Sequence, residues 1–417
     1  MGCDVRSQAP DHAGSVVGAA VFNGGASTAL AGVRVLDLSE WVAGPYCARL
    51  LAGFGATTIK VERPGFGDRS RRAGPFPADR PNSEASGLFL YLNTGKRGVT
   101  LDWSTASGRD LLRRLVAGAD VVIESSGPGF LAAVGLDDES RLREYPKLIV
   151  VSVSDFGTTG PYAAYEGTEG VALAIGGLMS VTGDPAREPL KSGGYLASYG
   201  AGQYAFVAAL AALYAETGEH IETSVLDNVM TLTEVFPQMS ITTGELRRRS
   251  GNAAGPGWAL LPCADGWVSV AIEFRADLSR VGDATGVEEL KSTMFDDYAW
   301  GFTAHPDELQ ALLLGWLLPR TRREIYEVAQ ANHLAWGFVA YPGEMIVDPQ
   351  LTAREFFVEI DHPAAGRLVY AGAPFKMSET PWAAFRAPLL GEHNVEIFGE
   401  LGLSARDLVM LHASGVV

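Results

Sequence analysis

Along the first half of the chain, short runs of β-branched and aliphatic residues alternate with stretches whose apolar positions recur at helical spacing. "VRVLDLS" (33–39) is the first run, "AGPYCARLLAGFGA" (43–56) follows with helical spacing, and "TTIKVE" (57–62) is a second run. Strand, helix and strand within roughly 30 residues make a β-α-β crossover, which predicts a parallel sheet. "RGVTLDW" (97–103), "SGRDLLRRLVAGA" (107–119), "DVVIES" (120–125) and "PKLIVVSVS" (146–154) continue the alternation. The reading is an α/β protein with one large domain over 30–230, doubly wound on a parallel sheet.

The pattern changes after "IETSVLDNVMTLTEVF" (221–236). "RRRSGNAAGPGWALLPCADGWVSVAI" (247–272) is a glycine-rich loop leading to a hairpin around Asp265-Gly266. Two helical stretches, 307–319 and 322–332, precede "GRLVYAGAPFKMSE" (366–379), which reads as paired strands. A smaller α+β domain is expected over 255–370. The closing segment "LLGEHNVEIFGELGLSARDLVML" (389–411) is helical.

Composition narrows the partners. A chain of 417 residues, 47% apolar, can bury a sizeable core without staples, and a formal net charge of −16 argues against general binding to nucleic acid or an anionic membrane. Its partner is expected to be a small molecule or another protein. Three widely spaced cysteines, Cys3, Cys47 and Cys263, make neither a disulfide framework nor a zinc site, which points to a reducing cytoplasm and no metal. Residues 1–29 read as a flexible tail: they lack the basic start of a signal peptide, and Arg6 stands where a myristoylation signal needs Ser or Thr. No stretch reads as long and uniform enough to span a bilayer; even 193–215 carries Gln203 and several Gly and Tyr.

"LKSGGYLASYGAGQYAFVAALAALYAE" (190–216) has no charged side chain between Lys191 and Glu216. It reads as a small-residue turn opening onto a buried helix, a place suited to a nucleophile or an anion because backbone N–H groups point outward there. The turn offers only Ser198, Tyr195 and Tyr199, and residues 190–205 supply no base for Ser198. A dinucleotide site fits poorly: Glu62 ends a second strand as such sites require, but "SEWVAGP" (39–45) has one glycine where G-x-G-x-x-G is needed.

Several phrases occur together and in order: 30–71 with "VERPGFGDRSR", "FLYLNTGKRGVTLDW" (89–103), "PKLIVVSVSDFGTTGPY" (146–162), "GGLMSVTGDP" (176–185), "GNAAGPGW" (251–258), "CADGWVSVAI" (263–272) and "LLGEHNVEIFGELG" (389–402). Together they resemble the class III CoA-transferases, the family of formyl-CoA transferase, carnitine CoA-transferase and the α-methylacyl-CoA racemases. The resemblance implies a Rossmann-like, CoA-binding large domain over 30–230 completed by 380–417 with the small domain in between, an interlocked dimer, and acyl-CoA and a carboxylic acid as substrates, with no permanently bound cofactor. It also implies a mechanism in which an Asp carboxylate attacks the thioester, giving a mixed anhydride and CoA thiolate.

In that family the Asp sits in a turn before a small-residue helix, and here Ser198 stands in its place. Carried over position by position, Arg63 meets the adenine side of CoA, while Lys96, Arg97 and Leu101-Asp102 lie near the nucleotide. Ser125 and Ser126 replace an Asn and a Phe on the pantetheine path. Trp41 and Val42 occupy the turn that holds pantetheine and acyl chain. Ala133 and Glu166 stand where relatives carry cations, and each charge-assisted hydrogen bond so lost weakens the grip on CoA by roughly 1–3 kcal/mol. The racemases' Gly-His-Asp is here Gly167-Thr168-Glu169, without the imidazole. Glu169 faces the reacting acyl group in relatives and is the remaining candidate for nucleophile or base, or for a group that only orients the substrate. The basic run "GDRSRR" (67–72) is a candidate phosphate clamp, and "SGNAAGPGWAL" (250–260) a flap over the reacting centre. Three readings stay open: a subunit of a heteromeric transferase whose Asp comes from a paralogous chain, as the resemblance to the two-subunit benzylsuccinate CoA-transferase suggests; a self-sufficient acyl-CoA enzyme, as a homodimer, using Glu169 or another acid; and a CoA-ester-binding protein without activity.

Overall fold

The computed structural model describes residues 28–255 and 257–417, so the expected tail, residues 28 and 29 apart, lies outside the described residues, as does Cys3. Six strands form one sheet: β1 (Arg34–Asp37), β2 (Thr57–Glu62), β3 (Arg97–Thr100), β4 (Val121–Glu124), β5 (Ile149–Ser154) and β6 (His220–Ser224). Their order is β3-β2-β1-β4-β5-β6 and every pairing is parallel. The parallel α/β sheet read from the apolar runs is therefore present. β4 is buried along its whole length, as strands covered on both faces must be.

Helix α1 (Ala43–Gly53) connects β1 to β2 and is buried along its length. Against it packs the long helix Leu196–Ala215, whose Ala197, Ala201, Ala205, Ala209 and Ala212 are buried. Small side chains let the two backbones close in: a Cβ placed on Gly202 would lie 2.5 Å from the Ala43 carbonyl oxygen. Gly202→Ala is therefore expected to cost about 1–3 kcal/mol through overpacking, read as a lower urea midpoint at unchanged slope. Contrary to the sequence reading, this helix is long and apolar enough by length and composition to cross a membrane. It is instead packed into the core on its alanine face, while Tyr204, Val207 and Tyr214 remain exposed on the other side.

β3 is an edge strand, and an unusual device covers its open side. Gly98 N–H donates to His393 Nδ1 (3.0 Å), Thr100 N–H donates to Asn394 Oδ1 (2.8 Å), and His393 N–H donates back to the Gly98 carbonyl (2.9 Å). Residues near the C-terminus thus satisfy the polar groups that an unpaired edge would expose.

Two compact units emerge. The first comprises the described residues up to Ala172 with Gly193–Thr231 and Ile346–Val417; the second comprises Leu173–Ser192 and Leu232–Met345. The second unit holds the expected hairpin, Trp258–Cys263 with Gly266–Ala271, flanked by Ala253–Gly255 and Gly337–Phe338. Helices Arg275–Thr285, Pro306–Leu317 and Arg322–Ala331 supply much of its core. The small domain expected at 255–370 differs from this grouping, which ends at Met345 and adds Leu173–Ser192. The antiparallel pair Phe357–His362 and Gly366–Ala371 falls in the first unit, where Ile360 and Tyr370 pack with Phe89 and Leu90.

Candidate functional site

In an open parallel sheet the crevice lies beyond the C-terminal strand ends, where the strand order reverses, because the flanking loops diverge there. Here the reversal is between β1 and β4. A cavity of about 470 Å³ opens at this point, lined by Trp41 after β1, Ser125 to Pro128 after β4, and Ser154 to Phe156 at the end of β5. Residues 163 to 169, Tyr195 and Ser198 complete its wall, and Arg69 stands over it.

Ser198 and Glu169, 29 residues apart in sequence, meet in this wall. Glu169 Oε1 accepts the Ala197 N–H (2.7 Å), and Oε2 accepts both the Ser198 N–H (3.0 Å) and the Ser198 hydroxyl (2.7 Å). The helix Leu196–Ala215 has no side-chain cap of its own, so the carboxylate caps it from outside and complements its positive end. Both residues border the cavity, yet Ser198 is 6% and Glu169 8% exposed. Asn228 steadies the same turn by donating to the Ala197 carbonyl (2.8 Å). The serine, which looked in sequence to lack a base, has a carboxylate in hydrogen-bond contact.

Trp41 forms the opposite side. Its φ of 76° is left-handed, rare for a bulky residue, and its N–H is held by Asp68 Oδ1 at 3.1 Å. The indole meets Tyr195 edge-to-face at 5.5 Å, and the Arg69 guanidinium lies 5.6 Å from its ring centre.

Of the residues expected to hold CoA, Trp41, Ser125 and Ser126 line the cavity; Val42, Arg63, Lys96, Arg97 and Leu101 do not. Lys96 is a correction: its ammonium is buried and its three hydrogens are taken by Asp37 Oδ2 (2.8 Å), the Pro45 carbonyl (2.9 Å) and Asn93 Oδ1 (2.9 Å), leaving none for a phosphate. Leu101 is likewise core, 1% exposed, and Val42 is fully buried. Arg97 starts β3, at the strand end away from the cavity, and pairs with Glu396 and Glu400 at 3.0 Å. Arg63 is exposed and stacks on Phe66. Within "GDRSRR", Arg71 is buried in an ion pair with Glu62 (2.6 Å) and Arg72 bonds the Phe66 carbonyl, so Arg69 alone of the run's arginines borders the cavity. The loop 250–260 belongs to the second unit.

Asp155 escaped the sequence reading. It directly follows β5 in the cavity wall and accepts the Gly167 N–H, and burial pushes its carboxyl above the usual range, with Glu166 nearby adding to the effect and Arg69 opposing it. Its signal was an acid directly after an apolar strand run at the switch point.

Beneath Trp41 runs a buried charge network. Lys60 pairs with Asp68 (2.9 Å) and Asp37 (3.7 Å), and Lys96 with the same Asp37, all with fully buried side chains. Burial alone would lower Lys60, but Asp37 and Asp68 outweigh it and push it above the usual lysine range. Burial, with Lys60 alongside, pulls Lys96 down to about 8. Burial would raise Asp37 and Asp68, yet the lysines hold both below the ordinary carboxylate range. Among the described residues, no group of three or more His, Cys, Asp or Glu is placed to hold a metal ion.

Comparison with known proteins agrees with this geometry. The sequence model of CoA-transferase family III matches residues 30–394. The subunit BbsE of succinyl-CoA:(R)-benzylsuccinate CoA-transferase from Thauera aromatica is 33% identical over 402 residues, covering 92% of this chain and 97% of that one. Formyl-CoA:oxalate CoA-transferase of Rhodopseudomonas palustris (strain BisB18) is 33% identical over 421 residues, covering 93% and 97%. Among solved structures, a CAIB/BAIF family protein from Brucella suis superposes with a TM-score of 0.77 at 30% identity, covering 90% of this chain and 99% of that one.

Proposed function

The chain belongs to CoA-transferase family III, and from that premise we propose that it is one subunit of an acyl-CoA:carboxylate CoA-transferase whose nucleophilic Asp comes from a paralogous chain. The observation that carries this reading is the state of Glu169. Its two oxygens accept two amides and a hydroxyl, so it is tied down as a helix cap rather than free to attack a carbonyl. Similarity to a protein named as a subunit supports the same reading.

In this reading the acyl-CoA enters the cavity, its acyl group against Trp41 and Tyr195 and its pantetheine past Ser125 and Ser126. The partner's carboxylate adds to the thioester carbonyl and expels CoA thiolate. The thiolate attacks the enzyme-side carbonyl of the mixed anhydride, which expels the donor acid as its carboxylate and leaves an enzyme thioester; the acceptor carboxylate displaces the thiolate to form a second anhydride, and the thiolate attacks its acyl carbonyl, giving the new acyl-CoA and freeing the Asp. The pair is interlocked, as in the family, and works in the cytoplasm.

The test compares the chain alone with the chain co-produced with a family III paralogue carrying Asp at the position matching Ser198. Exchange of CoA between succinyl-CoA and an added carboxylate is expected only from the pair and is lost when the paralogue's Asp becomes Asn. Rapid exchange by the isolated chain overturns the reading. It favours a second one, in which Glu169, by its place in the cavity wall, is the nucleophile of a self-sufficient enzyme; Glu169→Gln then abolishes that exchange.

A further inference from the structure

The hydrogen bond from Ser198 to Glu169 has no use in a transfer run by another chain's Asp. A serine hydroxyl already directed at a carboxylate, in the wall of a cavity, is a nucleophile with its base in place. Three features meet at this point. The hydroxyl lies 2.7 Å from Glu169 Oε2; Ser198 sits in the first turn of a 20-residue helix, whose positive end favours oxygen anions; and both side chains border the 470 Å³ cavity. A serine–histidine–aspartate row elsewhere shows what a structural arrangement looks like. Ser152 Oγ lies 3.1 Å from His220 Nε2, and His220 Nδ1 lies 3.1 Å from Asp138, but Ser152 is fully buried inside the sheet and is not part of the cavity wall at the β1–β4 reversal.

We infer that this chain by itself hydrolyses acyl-CoA thioesters through an acyl ester on Ser198, with Glu169 as the base. Ser198 Oγ adds to the thioester carbonyl carbon as its proton passes to Glu169 Oε2. The C–S bond breaks, and the departing thiolate takes that proton to leave as CoA thiol. Water then adds to the ester carbonyl, giving its proton to Glu169; the C–Oγ bond breaks, and Ser198 recovers the proton. The sum is acyl-CoA plus water giving a carboxylic acid and CoA.

The inference rests on the reading that acyl-CoA binds in this cavity, so the experiment measures binding and chemistry separately. Butyryl-CoA is titrated calorimetrically into the isolated full-length chain, and the chain is then quenched in acid and mapped by mass spectrometry. Binding is expected, with one butyryl group on the peptide containing Ser198, stable to neutral hydroxylamine but released by alkali, and with CoA freed over time. Ser198→Ala is expected to remove the adduct, and Glu169→Gln to slow CoA release about a hundredfold while binding persists. Ser198→Cys, which keeps a nucleophile, is expected still to label, and separates loss of chemistry from loss of folding. No binding at all sinks the cavity reading itself. Binding without a Ser198 adduct, an adduct on Glu169 or elsewhere, or undiminished CoA release by Ser198→Ala overturns the hydrolase alone.

Discussion

Replacing Lys60 with methionine is expected to lower the unfolding free energy by about 3–5 kcal/mol, which is a large part of the stability of most domains. Lys60 bridges Asp68 and Asp37 with all three side chains fully buried, and its removal strands a buried carboxylate on Asp68, which keeps only Ser70 and the Trp41 amide as donors. The exposed pair Arg143–Glu144 is the contrast: Arg143→Ala is expected to change stability by less than about 1 kcal/mol. Urea unfolding of the two variants decides the matter, and a Lys60→Met midpoint close to wild type refutes the account. Acid titration reads the same network. Asp37 and Asp68 are held below their unfolded values, so their contribution is complete above the ordinary carboxylate pKa of about 4 and is lost as the pH falls through the depressed folded values. Stability is expected to drop steeply below about pH 4, and Lys60→Met should flatten that drop.

Trp41→Gly is expected to weaken acyl-CoA binding by roughly ten- to a hundredfold, equivalent to losing the burial of one large apolar side chain. The same change should leave the unfolding free energy within about 1 kcal/mol of wild type, because two terms oppose each other. The left-handed backbone at 41 costs a non-glycine residue about 1–3 kcal/mol, which glycine recovers, while the contact with Tyr195 is worth roughly 0.5–1.5 kcal/mol. Calorimetric titration with a CoA thioester, beside a urea melt, measures both. A variant that binds normally removes Trp41 from the acyl pocket; one that is strongly destabilised shows that the indole serves packing instead.

The sheet was legible because parallel strands covered on both faces spell themselves as apolar runs, and "DVVIES" and "PKLIVVSVS" became β4 and β5 nearly to the residue. The site was legible only in pieces. Trp41, Ser125 and Ser126 reached the cavity because their turns follow β1 and β4, and position relative to a strand end survives in sequence. Lys96 did not, because a lysine reads the same whether its charge is spent on a buried Asp37 or free for a phosphate. The Ser198–Glu169 contact was hidden by chain separation: periodicity describes one helix, and the acid that caps this one begins another. Asp155 was hidden by being a single acid with no motif around it.

The clasp of His393 and Asn394 on β3 orders events in the cell. Its two halves are 294 residues apart, so Gly98 and Thr100 emerge from the ribosome long before the groups that cover them. During synthesis the nascent sheet carries a raw margin able to template a strand from a neighbouring polysome product. A message cut short before codon 393 makes that exposure permanent, and such fragments are expected to enter inclusion bodies or be degraded.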